Sequence, residues 1–496
     1  MLLILLFITI TFWLFLRQFQ RCRRLPPGPF PLPFLGNLPG IAYRTWREGG
    51  IVAMLTYYRK IYGDVFTLWV GPIPHVSVTD YDICHEVFVK NASKYATKYQ
   101  SPIFEHLREG NGLFFSNGDR WQELRRFSMQ TFRNMGMGRD LMEEKIMVEL
   151  NKRCADIDRR ADENGTTVQN AGHFFDLTVG SVINNMLLGE GFDEESKGDF
   201  LKFKHLLDSV FEAFSPIDVM LPVWVIKYLM PWRYKVLYDQ QMEIMNYVAE
   251  DGLKRLKAFT EGTHEIDPEN VEDYVDAFLL KMKQDTTGSI YNEKTLKAAI
   301  LDLWITGQET TATTLLVGFN RMLHTPEVMR KLREELLKAT DGGSRPLGLK
   351  DKSNTPYFTA VLAEVQRHAS ILNVNFFRFN HEPSTVGGFP VDAGALICAQ
   401  IGALHVHEKV YKHPDVFDPE RFVKDEKLIQ QVIPFGIGKR ACLGEALARA
   451  ELYLILGNLL LRYDFRIHGK LPSTKNMFPY SALKRPDNFE MEFLKL

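Results

Sequence analysis

Long amphipathic helical runs dominate this 496-residue chain. Apolar side chains recur at helical spacing over residues 120–133, 141–161, 198–214, 233–258, 292–323, 326–339, 355–369 and 443–462. Short segments of β character lie at 65–70, 75–79, 384–391, 395–401 and 465–469. The helices come in blocks and do not alternate strictly with strands, which disfavours a doubly wound parallel sheet. The sequence therefore predicts a mainly α fold with small β-sheets.

Composition and charge restrict the classes of function. Apolar residues make up 45% of the chain and charged residues 24%, as is ordinary for a globular protein with a large core. The net charge of −1 gives no global field that favours nucleic acid, and we expect no nucleic-acid partner. The five cysteines are scattered and have no zinc-site spacing, which predicts a reducing compartment and no disulfide framework.

The N-terminal segment is apolar and uncharged over residues 2–16, and four arginines follow within residues 17–24. As a helix it would be roughly 23–27 Å long, close to the hydrocarbon thickness of the endoplasmic reticulum bilayer. A cleaved signal peptide is the alternative, but the basic start and the small-residue cleavage site are missing. We expect residues 1–20 to be a single-pass anchor in that membrane, with the catalytic part of the chain in the cytoplasm.

Two further segments bear on the domain organisation. The stretch LPPGPFPLPFLGNLP (25–39) is stiff and extended, so we expect residues 21–39 to be a basic, proline-rich hinge and residues 40–496 a single catalytic domain. The segment VMLPVWVIKYLMPW (219–232) is too apolar for an ordinary surface loop. It is either a second, shallow membrane contact or a buried segment with a proline near each end.

The loop FGIGKRACLG (435–444) has two incompatible interpretations. Gly436-x-Gly438-x-x-Ala441 fits a loop that binds a dinucleotide pyrophosphate, which needs a strand before it, a helix after it and an acid about 20 residues further on. Asp464 is a candidate acid, but only 32 residues follow it, too few to complete a mononucleotide-binding half.

The second interpretation is a metal-thiolate loop. Cys442 precedes a helical run, where the helix dipole and neighbouring cations lower the pKa of a thiol. The glycines allow the backbone to turn tightly against a flat ring, and Arg440 is placed to reach an anionic substituent of that ring. These are the requirements of a haem with an axial thiolate.

Motifs in the chain resemble those of the cytochrome P450 family. The cysteine loop matches F-x-x-G-x-R-x-C-x-G, and TGQETT (306–311), Glu364-x-x-Arg367 and PERF (419–422) accompany it in the family's order. Trp121-x-x-x-Arg125 resembles the family's haem-propionate pair. The resemblance runs from end to end and is to microsomal, animal, CYP2-like members. It implies a haem b held between the long helix at 292–323 and the cysteine loop with the helix after it.

The resemblance also implies a role for individual residues. Cys442 is the expected iron ligand. The expected haem-binding residues are Trp121, Arg125, Arg378, Phe435 and Arg440. Glu364, Arg367 and Arg421 are expected to form a buried structural network. The family often has histidine just before Arg378, where this chain has Phe377, so one propionate is expected to have a different partner.

Oxygen activation needs protons on the distal side of the haem, and the resemblance assigns this chemistry to the long helix. Thr310 is expected to contact the bound O2 and Glu309 to relay protons. Thr306 departs from the family, which usually has alanine or glycine there. The substrate pocket must exclude water. Its expected lining residues are Phe114, Leu303, Thr306, Val374, Asn375 and Ser481.

The expected function is insertion of one atom of O2 into a lipophilic substrate such as a fatty acid, a steroid or a foreign compound. NADPH–cytochrome P450 reductase is the expected electron donor, with cytochrome b5 as a second one, docking through Arg125, Arg126, Arg133 and Lys439. One alternative is a haem-thiolate isomerase or dehydratase of lipid peroxides, which needs neither reductase nor O2. The other is a non-catalytic protein that binds haem or lipid.

Overall fold

The computed structural model describes residues 13, 16–136, 140–193, 196–213, 218 and 221–496. Its α-helices are α1 Leu38–Glu48, α2 Ile51–Tyr62, α3 Tyr81–His85, α4 Pro102–Arg108, α5 Gly118–Asn134, α6 Asp140–Arg159, α7 Ala171–Leu188, α8 Lys197–Ala213, α9 Val223–Leu229, α10 Pro231–Tyr234, α11 Gln240–Thr260, α12 Tyr274–Gln284, α13 Glu293–His324, α14 Pro326–Ala339, α15 Pro356–Ala369, α16 Ile401–Leu404, α17 Glu420–Lys424 and α18 Glu445–Arg462. Glu86–Lys90 and Lys235–Asp239 are single π-helical turns, and Leu349–Asn354 and Glu426–Gln431 are 3₁₀ helices.

The strands form small sheets at the edges of the helical body. They are β1 Val65–Val70, β2 Ile73–Val78, β3 Thr166–Asn170, β4 Arg378–Phe379, β5 Ser384–Val386, β6 Phe389–Val391, β7 Leu396–Ala399, β8 Tyr463–His468 and β9 Glu490–Lys495. One sheet has the order β1-β2-β7-β4, in which only β2 and β7 are parallel. A second is antiparallel with the order β3-β9-β8, and β5 and β6 form a hairpin. This mainly α fold with small sheets is the predicted one.

Helix α13 runs through the centre of the molecule. Its 32 residues span about 48 Å. It begins where the Asn292 side chain accepts a hydrogen bond from the Thr295 amide at 3.0 Å, and it ends before Pro326. Its buried residues belong to one large core with α6, α7, α11 and α18. This central position brings residues 303–310 into the interior.

The long predicted helices agree with the structure to within a few residues, but four other helices of 11 residues or more were not predicted. Helix α7 is buried on nearly every side, so it has no polar face and no amphipathic period. Helices α1, α2 and α12 are amphipathic but little more than three turns long, so each offers few repeats of the period. The predicted β segment at 384–391 is the β5–β6 hairpin, which turns at Gly387 and Gly388, both with positive φ.

The proline-rich stretch lies on strand β1. The Thr67 amide donates to the Pro27 carbonyl at 2.9 Å, and the Thr67 hydroxyl donates to the Pro26 carbonyl at the same distance. The Asn37 side chain accepts from the Trp69 amide at 2.7 Å. These bonds fix residues 26–37 to the sheet.

Most of the predicted anchor, residues 1–20, lies outside the described residues. Residues 16–22 are helical. Within the described part of the chain, no helix has both the length and the apolar character needed to cross a membrane.

Candidate functional site

The cysteine loop places a thiol on the wall of an interior cavity. The Cys442 amide donates to the Phe435 carbonyl at 2.9 Å, which closes the loop just before α18 begins at Glu445. The Cys442 side chain is exposed, yet burial is the largest influence on its pKa. A side chain that has accessible surface while protein surrounds it faces a cavity. The sulfur is therefore available to a ligand that enters the protein.

Gly438 permits the loop to lie against the π-helical turn at Glu86–Lys90. Its φ is +81°, and an added Cβ would lie 1.8 Å from the Phe88 carbonyl oxygen. No other residue fits without moving one of the two backbones. Gly436 also has positive φ but meets no atom within 4 Å. Gly438 is therefore needed for close approach to the Phe88 backbone, whereas Gly436 is needed only for the turn.

The expected lowering of the thiol pKa is wrong for the protein on its own. Burial raises the pKa of Cys442, and the Gly444 amide, Arg125 and Lys98 oppose that effect only in part. Burial in low dielectric disfavours a lone thiolate more than these groups favour it. A bound metal ion reverses the balance, because a coordinating thiol is deprotonated outright.

Four cations converge beside the cavity: Lys98, Arg125, Arg378 and Arg440. Arg125 donates to the Ala441 carbonyl at 2.8 Å, next to the cysteine. The Arg440 guanidinium stacks 3.6 Å from the centre of the Trp121 ring. Lys98 and Arg378 are joined by a β-bridge. The structure thus brings three predicted cations and Trp121 together, and it adds Lys98, which no sequence motif identified.

These cations fit the propionates of a haem. None of the four forms an ion pair with another described residue. Burial lowers the pKa of Arg378 to about 10, and burial together with Arg378 and Arg125 lowers that of Arg440 to about 9. Arg378 Nη1 is buried and finds no hydrogen-bond partner among the described residues. A buried or half-buried group of like charges with an unpaired donor is costly unless an anion joins it.

We expect Arg378→Met to weaken haem retention. If Arg378 binds a propionate, the substitution removes one charge-assisted hydrogen bond, worth about 1.5–3 kcal/mol, so haem should leave about tenfold to a hundredfold faster. Transfer of haem from the purified holoprotein to apomyoglobin measures this rate. Lys439→Met is the control. It changes an exposed cation of the cysteine loop and should leave the rate of haem loss unchanged. Equal rates for Arg378→Met and the wild type would contradict the assignment.

Phe377 occupies the position where the family often has histidine. Its ring meets His75 edge-on, with 4.6 Å between the centroids. Burial lowers the pKa of His75 to about 4, so the imidazole is neutral at physiological pH. Phe377 therefore packs against β2, and the neighbouring Arg378 joins the cation group.

Glu364, Arg367 and Arg421 form a buried network. Arg367 contacts both Glu364 carboxylate oxygens, with Nε to Oε2 at 2.7 Å and Nη2 to Oε1 at 2.9 Å. Arg421 Nε donates to the same carboxylate at 3.2 Å. Arg367 also donates to the His405 carbonyl at 2.9 Å, beyond the helix that carries it. Although burial opposes ionisation, Arg367 and His368 hold the pKa of Glu364 at about 2.

Three threonines lie at helical spacing along α13, and their exposure falls from Thr306 to the buried Thr314. Thr306 donates to the Asp302 carbonyl at 2.6 Å, Thr310 to the Thr306 carbonyl at 2.8 Å, and Thr314 to the Thr310 carbonyl at 2.7 Å. Thr306 is exposed although it lies in the middle of the core helix, so it faces the cavity. Its hydroxyl is directed to its own helix, and its methyl group takes up space in the cavity.

Glu309 does not share that face. It is 4% exposed and lies between Lys204 and Arg485. Successive helical residues are about 100° apart. The predicted pair of Glu309 and Thr310 is adjacent in sequence but divided between two sides of α13.

The predicted substrate residues differ in how they are placed. The Phe114 ring lies edge-on to Phe376, with 4.6 Å between centroids, and its amide donates to Asp302 at 2.9 Å. The Lys98 ammonium lies 3.2 Å from the centre of the Phe114 ring. Leu303 is partly buried against the main core. Phe114 therefore stands beside the cation group, as a wall of the same cavity.

The other predicted substrate residues take part in local packing. Val374 packs against the apolar cluster of α2 and β1. Asn375 donates to the Ala399 carbonyl at 3.1 Å, which ties it to β7. Ser481 is buried, and its carbonyl accepts a hydrogen bond from Asn373 at 2.8 Å. These contacts support the segments around the cavity.

Arg125 is directed inward and does not belong to a docking surface. Its pKa is lowered by burial, and its guanidinium bonds to the cysteine loop. Arg126, Arg133 and Lys439 are exposed. Arg126 pairs with Glu123 on its own helix, which reduces the charge that it offers a partner.

Comparisons with known proteins all indicate the same family. The model of the family described as "Cytochrome P450" matches residues 26–493. The chain is 47% identical to "Probable cytochrome P450 cyp-35D1" of Caenorhabditis elegans, with both chains covered in full. It is 32% identical to "Cytochrome P450 2C23" of Rattus norvegicus over 89% of this chain and 87% of the other. It is 33% identical to "Cytochrome P450 2C28" of Mesocricetus auratus over 93% and 91%.

Proposed function

The chain belongs to the cytochrome P450 family and is a haem-thiolate monooxygenase, and we propose that its electrons come from NADPH through a flavoprotein reductase. We further propose a fatty acid, a steroid or a foreign compound as the substrate. The observation that carries the site assignment is the convergence at one cavity of an accessible thiol, Cys442, and four cations, of which Lys98 is buried and the others half-buried, and none of which has an ion-pair partner among the described residues.

The residues of the site have different proposed roles. The Cys442 sulfur would hold the iron of a bound haem, and Trp121, Arg125, Arg378, Arg440 and Lys98 would hold its propionates. When bound, the haem supplies the oxygen chemistry, and thiolate donation favours cleavage of the O–O bond. Phe114 excludes water from the substrate side. The Thr310 hydroxyl keeps acceptor capacity while it donates to the Thr306 carbonyl, so it can accept a hydrogen bond from a proton donor, and it can pass a proton on once its own O–H turns from that carbonyl to the cavity.

Reconstitution tests the function. The full-length holoprotein is placed in phospholipid vesicles with an NADPH-dependent flavoprotein reductase, and a lipid and drug library is screened for spectral binding. We expect a bound compound to gain one oxygen atom from isotopically labelled O2, in step with NADPH oxidation. Conversion of a fatty-acid hydroperoxide without NADPH would favour the isomerase alternative instead. Binding of haem and lipid with no turnover would favour the non-catalytic one.

The electron donor is proposed to dock where Arg126, Arg133 and Lys439 are exposed. These cations lie on α5 and on the cysteine loop, and they can attract an acidic flavoprotein surface, with cytochrome b5 as a second donor. A basic surface of this kind predicts that the Michaelis constant for reductase rises with salt concentration. A salt-independent constant in the same vesicles would contradict this docking site.

We also propose that the protein lies on the endoplasmic reticulum membrane, anchored by residues 1–20. The described part of the apolar segment supports a second contact. Trp224 and Trp232 are 60% and 65% exposed, while only Ile226 of α9 is buried. This exposure of the described residues 221–232 supports a membrane contact over a buried segment. In vesicles of brominated lipid, emission should be quenched in the wild type and less strongly in a Trp224→Phe/Trp232→Phe variant, in which Trp13 of the proposed anchor still remains. Equal quenching in both would contradict the placement.

A further inference from the structure

A cluster of five charged side chains, one of which is Glu309, lies on the side of α13 that faces α7 and α8. Its members are Asp176 on α7, Lys204 and Asp208 on α8, Glu309 on α13, and Arg485 before β9. They are far apart in the chain, so no motif predicts them. The fold alone brings them together.

Lys204 is the centre of the cluster. Its ammonium lies 3.2 Å from Glu309 Oε1 and 3.6 Å from Asp176 Oδ2, and it donates to Asp208 Oδ1 at 2.5 Å. Arg485 lies 3.0 Å from Glu309 Oε2 and also contacts Asp208. The angle between Lys204 and Glu309 Oε1 does not suit a hydrogen bond. This carboxylate oxygen therefore has no hydrogen-bond partner among the described residues. Glu309 is thus held by charge but is free to accept a proton.

The three carboxyl groups lie at increasing depth. The side chain of Asp208 is 29% exposed, that of Asp176 18% and that of Glu309 5%. Gln308, next to Glu309, donates to Asp176 Oδ1 at 3.1 Å. Asp176 and Glu309 also contact the same ammonium group. The cluster therefore links solvent to the residue at the back of the cavity helix.

The charges in the cluster do not balance unless a carboxyl is protonated. Three carboxylates face two cations, and an excess buried charge is costly. Burial and the neighbouring Glu309 raise the pKa of Asp176 to about 7, against the opposing effect of Lys204. Despite burial, Glu309 and Asp176 raise the pKa of Lys204, which stays charged.

We propose that Asp176 is the proton-holding residue behind Glu309, and that Lys204 and Arg485 are positioning residues that keep the Glu309 carboxylate ionised beside it. This inference rests on the proposed function and on the expectation from the sequence that Glu309 relays protons to Thr310. Because the two residues point to different sides of α13, Glu309 must turn away from Lys204 to reach Thr310. Each proton that it takes to the cavity is replaced from Asp176, which takes its own from the solvent side.

Infrared spectroscopy of the full-length holoprotein tests the assignment without any substrate. A protonated carboxyl has a C=O stretching band that shifts in D2O. The difference between the wild type and Asp176→Asn should contain one such band, with a midpoint near pH 7. Glu309→Gln removes a neighbouring negative charge and should shift that midpoint to lower pH. Lys204→Met removes a cation and should shift it to higher pH, as should Arg485→Met.

Glu451 provides the matched control. It is a buried acid between α18 and α13 whose pKa burial raises to about 8, and it lies outside the cluster. Glu451→Gln should remove a different band and leave the Asp176 midpoint in place. The proposal is overturned if Asp176→Asn removes no band, or if the midpoint is the same in Glu309→Gln and Lys204→Met. The ferrous carbonyl spectrum of each variant reports the haem-thiolate site separately, so failure of the proposed function is distinguishable from failure of this inference.

Discussion

Glu364→Gln is expected to cost about 3–5 kcal/mol of folding free energy and to prevent most of the chain from retaining haem. The substitution leaves the Arg367 guanidinium buried, 1% exposed, without the carboxylate that neutralises it. Arg421 loses the same partner. The yield of soluble haem-loaded protein and its urea unfolding midpoint measure the effect.

The folding stability of the wild type should also depend on the ionised Glu364 carboxylate when the protein is titrated with acid. Glu364 has a pKa of about 2 in the folded protein against an ordinary 4.5. Its stabilising effect is therefore complete above about pH 4.5 and is lost as the pH falls toward 2. Glu364→Gln should lack this part of the acid sensitivity.

Two further variants separate a buried charge from a general effect of substitution. Glu334→Gln breaks an exposed pair with Arg330 on α14 and should cost no more than about 0.5 kcal/mol. Adding Arg367→Met to Glu364→Gln removes the unpaired guanidinium, so the double variant should recover part of the loss. If Glu364→Gln matches Glu334→Gln, the network does not support the fold.

The sequence predicts the long helices because they have one polar face and one apolar face over several turns. The short strand β4 could not be predicted in this way. It has two residues, and their pairing with Ile397 and Leu396 depends on a strand almost 20 residues further on. Helix α7 fails for the opposite reason, since burial on nearly all sides removes the period. Local pattern thus predicts elements that are half exposed and misses those that tertiary contacts define.

The candidate site shows the same division. The cysteine loop and the Glu364–Arg367 pair are short, local patterns, and the sequence contains them complete. Lys98 could not be found, because nothing near it in sequence indicates that it meets Arg378 across a β-bridge. The direction of Glu309 also depends on Lys204 and Arg485, which are distant in the chain. The raised thiol pKa of Cys442 depends on burial, which spacing alone does not give.

Cys442→Ser is expected to abolish both thiolate ligation and oxygenation. A serine hydroxyl is not a thiolate, and it cannot donate the electron density that favours O–O cleavage. The backbone bond from residue 442 to the Phe435 carbonyl needs no sulfur, so the loop should keep its shape. Cys22→Ser changes a cysteine at the N-terminal side of the fold and should leave ligation and turnover at wild-type levels.

The most direct measurement is the ferrous carbonyl spectrum of the purified proteins. We predict the long-wavelength Soret band of a thiolate-bound haem in the wild type and in Cys22→Ser, and its absence in Cys442→Ser. If Cys442→Ser retains haem, shows the wild-type band and still oxygenates a bound compound, then Cys442 is not the iron ligand and the account is wrong.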